Sequence, residues 1–291
     1  MAFSNPIKLL AVTIVFLIFS TNLCSQKLEP KERQPEADHT ITSDILDRDY
    51  QLFISLPYNY SVKDTIAYPV LYVLDGKRDF PLFNQQNKYL FFRRGMERVI
   101  IVGIAAGKHR SYDYSPTPNI DTAAVREKEI KRGIPEGSIK SGGADKFLEV
   151  IKTEISPFVD KNYKTNTDRG ISGHSLGGLF AIHCLLNSDG YFTRFGINSP
   201  SLWWNKGAYL EHGVLQFAEN TTWDIPPTKV FLSAGKNETT RILPGTIEFI
   251  SNLQDAKYEN IDLSWHVFDN ENHGSVIPVS LRQTIIELYG K

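Results

Sequence analysis

Short apolar runs and longer amphipathic stretches take turns along most of the chain. Two β-rich runs, 39–46 and 50–56, flank Asp47-Arg48-Asp49 and read as a hairpin. Further runs at 69–74, 98–104, 169–172, 195–198, 229–233 and 261–268 are mostly rich in Val, Ile and Leu without clean alternation. That pattern predicts strands buried on both faces, because a half-exposed strand would alternate polar and apolar positions. Between the runs, 145–159 places Phe147, Val150, Ile151, Ile155 and Phe158 on one face of a helix. The stretches 178–187, 246–255 and 279–289 also read as helices. Strands alternating with helices predict an α/β fold, with a mostly parallel central sheet and helices on both faces.

Two parts of the chain break this pattern. Segment 111–143 carries Pro116, Pro118 and Pro135, a charged patch at 126–132 and Gly142-Gly143. A connection this long without structure of its own is usually functional, so it reads as a rim or lid over a site. At the N-terminus, Lys8 is followed by a short apolar core, 9–19, too short to span a bilayer with comfort. It reads as a signal peptide over 1–25 cleaved near Ser25, with an uncleaved anchor and a lipoprotein site at Cys24 as the alternatives. A charged tether, 26–38, and a single domain, 39–291, follow. The expected location is secreted or periplasmic, with no stable membrane insertion after cleavage.

Composition then narrows the partners. Among 291 residues, 32 are Lys or Arg and 33 Asp or Glu, a formal net charge of −1. Such a balance gives no long-range attraction for nucleic acid. Cys24 and Cys184 are the two cysteines, so the cleaved chain keeps Cys184 alone and forms no internal disulfide. Cys184 sits in the apolar stretch 179–186, where packing is the expected role. No feature of the sequence sets an oligomeric state.

The chemistry centres on Gly173-His174-Ser175-Leu176-Gly177-Gly178, a G-x-S-x-G pattern between an expected strand and an expected helix. That is the nucleophile elbow of the α/β-hydrolase fold. The sharp turn lifts the Ser175 hydroxyl out of the sheet, to a helix N-terminus where backbone N–H groups favour developing negative charge. A serine hydroxyl needs a base to take its proton. The fold delivers Ser, then an acid, then His, so the base lies downstream. His273, in the loop Asn270-Glu271-Asn272-His273-Gly274-Ser275 between the last strand and last helix, is the expected base. His183 lies on the elbow helix, His212 in a connecting region and His266 within a strand. Glu238 follows the run 229–233 and is the expected acid, with Asp269 as rival. The oxyanion needs two backbone donors. Leu176 N–H is one, and Lys77 N–H, after Asp75-Gly76, is the other. No Cys/His cluster has metal-ligand spacing, and this chemistry calls for neither metal nor cofactor.

Leu74-Asp75-Gly76, the elbow, Ser199-Pro200-Ser201-Leu202-Trp203-Trp204 and His273-Gly274-Ser275-Val276 together resemble the putative-esterase family of α/β-hydrolases. That family includes siderophore esterases of the enterochelin- and salmochelin-esterase type. It also includes feruloyl and acetylxylan esterases, S-formylglutathione hydrolases and the mycolyltransferases of antigen 85. The Ser-Pro-Ser-Leu-Trp-Trp segment is most similar to the siderophore-esterase branch, and the signal peptide fits an exported member of it. The resemblance implies a serine carboxylic-ester hydrolase acting through an acyl-enzyme on a small-molecule ester, a catecholate siderophore or related aryl ester. A feruloyl or acetylxylan esterase and an acyltransferase are the alternatives; a binding protein without activity fits poorly with intact Ser175, His273 and Glu238. Trp203 and Trp204 follow the strand ending near Asn198, where an aromatic wall could stack on a catechol, feruloyl or sugar ring.

Overall fold

In the computed structural model the apolar runs become one eight-stranded sheet. The strands are β1 His39–Ser43, β2 Arg48–Ser55, β3 Tyr68–Val73, β4 Ile100–Ala105, β5 Thr165–His174, β6 Arg194–Asn198, β7 Thr228–Gly235 and β8 Ile261–Phe268. Their spatial order is β1-β2-β4-β3-β5-β6-β7-β8. β1 and β2 form an antiparallel hairpin, β2 pairs antiparallel with β4, and all other neighbours are parallel. The structure describes residues 36–63, 65–118, 140–207 and 223–290, with isolated positions 127, 130, 131 and 133. The expected signal peptide, its cleavage point and most of the tether lie outside them. Asp38, expected in the tether, already belongs to the sheet region: its N–H donates to the Leu52 carbonyl at 2.9 Å.

Because side chains alternate across a strand, β2, β3, β4 and β7 each feed two cores. Val70 and Tyr72 join one, with Phe147, Ile151, Leu179, Phe180 and Phe249. Leu71 and Val73 join the other, with Phe80, Phe83, Leu281 and Ile285. The helices Ala144–Val150, Leu176–Asn187 and Leu243–Ala256 therefore cover one face, and Gly76–Arg94 and Val276–Tyr289 the other. This is the doubly covered, mostly parallel α/β-hydrolase arrangement.

Three differences from expectation have local causes. The hairpin turns at 44–47, earlier than Asp47-Arg48-Asp49: Ser43 pairs with Arg48, and Asp47 takes the left-handed φ of 49° that the tight turn needs. β8 is an edge strand with Asp262, Trp265 and His266 exposed, so an apolar run here does not mean burial on both faces. Segment 111–143 opens with a helix, Arg110–Tyr114, and its two ends are tied together. Gly143 N–H donates to the Tyr112 carbonyl at 2.9 Å and Gly142 N–H to Ser115 Oγ at 2.8 Å. The stretch between, where the rim or lid was expected, lies outside the described residues apart from a few positions. Among the described residues no helix is long and apolar enough to cross a membrane.

Candidate active site

The parallel register brings the site together. His174 ends β5 and pairs with Asn198, which ends β6 and pairs with Ser233 of β7. The loops that leave these strands therefore emerge side by side at one edge of the sheet, where open α/β sheets bind ligands. Ser175 alone makes the turn between β5 and the helix Leu176–Asn187, at φ 63° and ψ −118°. Such a conformation costs a non-glycine residue on the order of 1–3 kcal/mol. The surroundings hold it. Ser175 N–H donates to the Asn198 carbonyl at 2.9 Å, and its carbonyl accepts from Ser201 N–H and Leu179 N–H, each at 3.0 Å. Gly173 is required because a Cβ there would strike the Gly177 carbonyl.

Ser175 Oγ lies 2.9 Å from His273 Nε2. His273 Nδ1 lies 2.7 Å from Glu238 Oε2. The loop that presents His273 is knit by Asn272, whose Oδ1 accepts from Gly274 N–H at 2.9 Å and Ser275 N–H at 3.1 Å. The Glu238 side chain is wholly buried, while that of His273 is 36% exposed. Glu238 Oε1 accepts from Ser199 Oγ and from Gly235 N–H at 3.1 Å. Burial pushes the carboxyl pKa up, but the bonds from His273, Ser199 and Gly235 outweigh it and hold Glu238 below the usual glutamate range. Its ionised form can therefore balance a positive imidazole. The rival Asp269 is exposed and pairs with Lys236 at 2.8 Å.

Leu176 is the first residue of its helix and Lys77 the second of Gly76–Arg94. N–H groups in the first turn of a helix have no acceptor within that helix, which is what an oxyanion donor requires. Gly76 admits no side chain, since a Cβ would lie 2.6 Å from the Gly103 carbonyl carbon. The expected aromatic wall is corrected in part. Trp204 is 2% exposed and its indole N–H donates to the Thr117 carbonyl at 3.4 Å, so it packs the interior instead of lining a mouth. Trp203 is half-buried against the core. His183 is buried beside Asp145, at 3.1 Å, and His266 is exposed on β8. His212 lies outside the described residues.

Sequence reading passed over several neighbours. Ser201 Oγ sits 3.2 Å from Ser175 Oγ, and Ser199 caps the Glu238 carboxylate. The His174 ring is buried with its centroid 4.6 Å from that of His273. Burial first, and then the His273 ring and two arginines, keep His174 neutral far below the usual histidine range. Polar residues clustered right after β6 were the available signal, but only the β5–β6 register says that they meet Ser175. Asp75 and Arg110 form a shielded pair at 2.6 Å beside a cavity of about 1090 Å³ that Lys77, Arg78, Lys108 and His109 help to line. Among the described residues no group of three His, Cys, Asp or Glu could hold a metal ion.

The sequence model of the family described as Putative esterase matches residues 43–274. The chain is 28% identical over 253 residues to the ferri-bacillibactin esterase BesA of Bacillus subtilis, covering 82% of this chain and 84% of that one. It is 26% identical over 254 residues to the apo-salmochelin esterase of Escherichia coli, covering 84% and 76%. An IroE-like serine hydrolase from Shewanella oneidensis superimposes with a TM-score of 0.74 at 25% identity, over 85% of this chain and 78% of the other. The family match spans well over half of the sequence and is joined to an α/β-hydrolase sheet, so the chain belongs to the Putative esterase family and is a carboxylic ester hydrolase.

Proposed function

We infer that the chain cleaves aryl-bearing esters of the siderophore class through an acyl-enzyme formed on Ser175. The observation that carries this reading is the hydrogen-bonded row from Ser175 Oγ to His273 Nε2, 2.9 Å, and from His273 Nδ1 to Glu238 Oε2, 2.7 Å. His273 Nε2 takes the Oγ proton as Oγ bonds to the ester carbonyl carbon. The carbonyl π pair moves onto its oxygen, where the N–H groups of Leu176 and Lys77 meet it. The tetrahedral centre then collapses, its C–O bond to the alcohol breaks, and the imidazolium gives its proton to the departing oxygen. Water repeats the sequence on the acyl group, releasing the acid and restoring Ser175. Glu238 stays ionised throughout and fixes which imidazole nitrogen faces Ser175.

The substrate class is supported by the names of the two relatives and by two features of this chain. Trp203 offers a partly exposed aromatic surface in the segment beside Ser175. Lys77 and Lys108 supply positive charge near the expected oxyanion donors, which suits the phenols of a catecholate. With the leader read at 1–25, the enzyme acts after export, in the periplasm or outside the cell. The test is a hydrolysis panel of catecholate trilactones, feruloylated and acetylated xylan fragments, and short p-nitrophenyl esters. Catecholate esters should show the highest kcat/KM. Acetylated xylan as the best substrate, with catecholates inert, would replace the siderophore reading with the carbohydrate-esterase one.

A further inference from the structure

Arg110 lies outside the row of Ser175, His273 and Glu238, yet it touches both loops that carry the expected oxyanion donors. It begins the helix Arg110–Tyr114 after β4. Its Nε donates to Asp75 Oδ1 at 2.6 Å and its Nη2 to Asp75 Oδ2 at 2.8 Å. The same Nη2 donates to the His174 carbonyl at 3.3 Å, on the residue before Ser175. Both side chains are shielded, with 14% of Arg110 and 11% of Asp75 exposed. The planar fork matches a carboxylate bidentately, a fit that a lysine ammonium cannot reproduce.

Asp75 needs such an anchor. Its φ is 52°, a left-handed conformation that a residue with a side chain rarely adopts. Its N–H donates to Tyr114 Oη at 2.9 Å, and its carbonyl accepts from Arg78 N–H at 2.8 Å and Asp79 N–H at 3.0 Å. Arg78 Nη2 adds a bond to Oδ2 at 3.1 Å. Burial would raise the Asp75 pKa, but Arg110, by charge and hydrogen bond, and then Arg78 bring it below the usual range. The ionised carboxylate is thus clamped one residue before Gly76 and two before Lys77. Tyr114, from the same short helix, completes the clamp, and the Arg110 guanidinium lies 5.2 Å from its ring centroid.

We propose that Arg110 is a positioning residue whose guanidinium sets the separation between the Lys77 and Leu176 N–H groups. The inference rests on the serine-esterase reading above. The two donors come from different loops, and each must reach one oxygen within about 2.7–3.1 Å. A guanidinium bonded to Asp75 on one side and to the His174 carbonyl on the other fixes one loop against the other. The bound ester carries no oxyanion, which forms only on the way to the tetrahedral centre, so loosening this tie lowers kcat and leaves KM nearly alone.

The experiment uses the full chain and p-nitrophenyl butyrate, a neutral ester that an arginine cannot recruit by charge. Arg110→Lys and Arg110→Ala are compared with wild type in kcat, KM and affinity for an aryl trifluoromethyl ketone, which forms a tetrahedral adduct. Since removal of one oxyanion donor costs about 10²–10³ in kcat, the expected fall is about 10–100-fold, with KM within about threefold and weaker ketone binding in proportion. Millimolar guanidinium should restore part of the Arg110→Ala rate and leave wild type unchanged. The inference is overturned if kcat stays within about threefold of wild type, or if the loss lies in KM with ketone binding intact. Should Arg110→Ala fail to fold, Arg110→Lys is judged by the same two limits. Wild type that does not react with a fluorophosphonate at Ser175 defeats the serine-esterase reading. Wild type that reacts, beside Arg110 variants of normal kcat, defeats this inference alone.

Discussion

Glu238 lies two hydrogen bonds from the Ser175 hydroxyl, through His273, and is proposed to steer the proton that His273 takes. Glu238 reaches His273 Nδ1 at 2.7 Å from a fully buried position, whereas Asp269 is exposed and bound to Lys236. Glu238→Gln keeps the shape and removes the charge, so kcat should fall by on the order of 10⁴, as for a triad acid elsewhere. Asp269→Asn should stay within about tenfold of wild type, since it touches no reacting group. The pair of mutants, assayed on one ester with folding followed by circular dichroism, decides between the two acids. Near-normal Glu238→Gln beside a crippled Asp269→Asn would reverse the assignment. The same carboxylate makes a stability prediction. Its folded pKa lies below the ordinary glutamate value of about 4.3, so its ionised form stabilises the fold above that value. That contribution is lost as pH falls through the lower, folded pKa. The gap in melting temperature between wild type and Glu238→Gln should therefore close on acidification below about pH 4. A gap that does not change with pH would contradict it. Ser175, His273 and Glu238 were expected as a set because the motif and the order of the fold single them out, and their side chains stand in one hydrogen-bonded row. Ser201, Ser199 and Arg110 were not, because a single sequence does not say which strand lies beside β5.

At the level of elements, strands and amphipathic helices were legible where one period dominates. The helix expected at 145–159 runs from Ala144 to Asn162, with a π-helical turn at Ile151–Ile155 that no periodicity announces. The helix Gly76–Arg94 was passed over. Its apolar residues do not form a clean stripe, and Pro81 lies inside it. Asp79 sits buried in its first turn, where negative charge suits the helix dipole. Helix 144–150 meets the elbow helix through aromatic packing. The Phe147 ring lies 5.0 Å from Phe180, 5.3 Å from Tyr50 and 5.8 Å from Tyr114. Phe147 is fully buried, so Phe147→Ala should cost about 3–5 kcal/mol in urea unfolding. A cost under about 1 kcal/mol would mean that the cluster relaxes around the loss and does not brace the elbow helix.

Over the whole molecule, stability comes from two cores on either side of one sheet, and from no disulfide among the described residues. Cys184 belongs to the core under the elbow helix, is fully buried, and has its thiol pKa pushed well above the ordinary value by that burial. Iodoacetamide should leave Cys184 unmodified in the native protein and label it after denaturation, because the thiolate is the reactive form. Native labelling at Cys184, read by peptide mass spectrometry, would show that this core opens. The α/β architecture was legible from alternating patterns alone. The strand order was not, since it depends on crossovers that leave no local signal, and that order is what places Glu238 and His273 beside Ser175. Every step proposed for this site depends on Ser175 being the nucleophile. A fluorophosphonate probe tests it most directly, read by peptide mass spectrometry on wild type and Ser175→Ala. A single adduct on Ser175 is expected in wild type, none in the mutant, and a loss of turnover of about 10⁴–10⁶ in a mutant that keeps its fold. Labelling at another residue, or hydrolysis by folded Ser175→Ala at the wild-type rate, would contradict it.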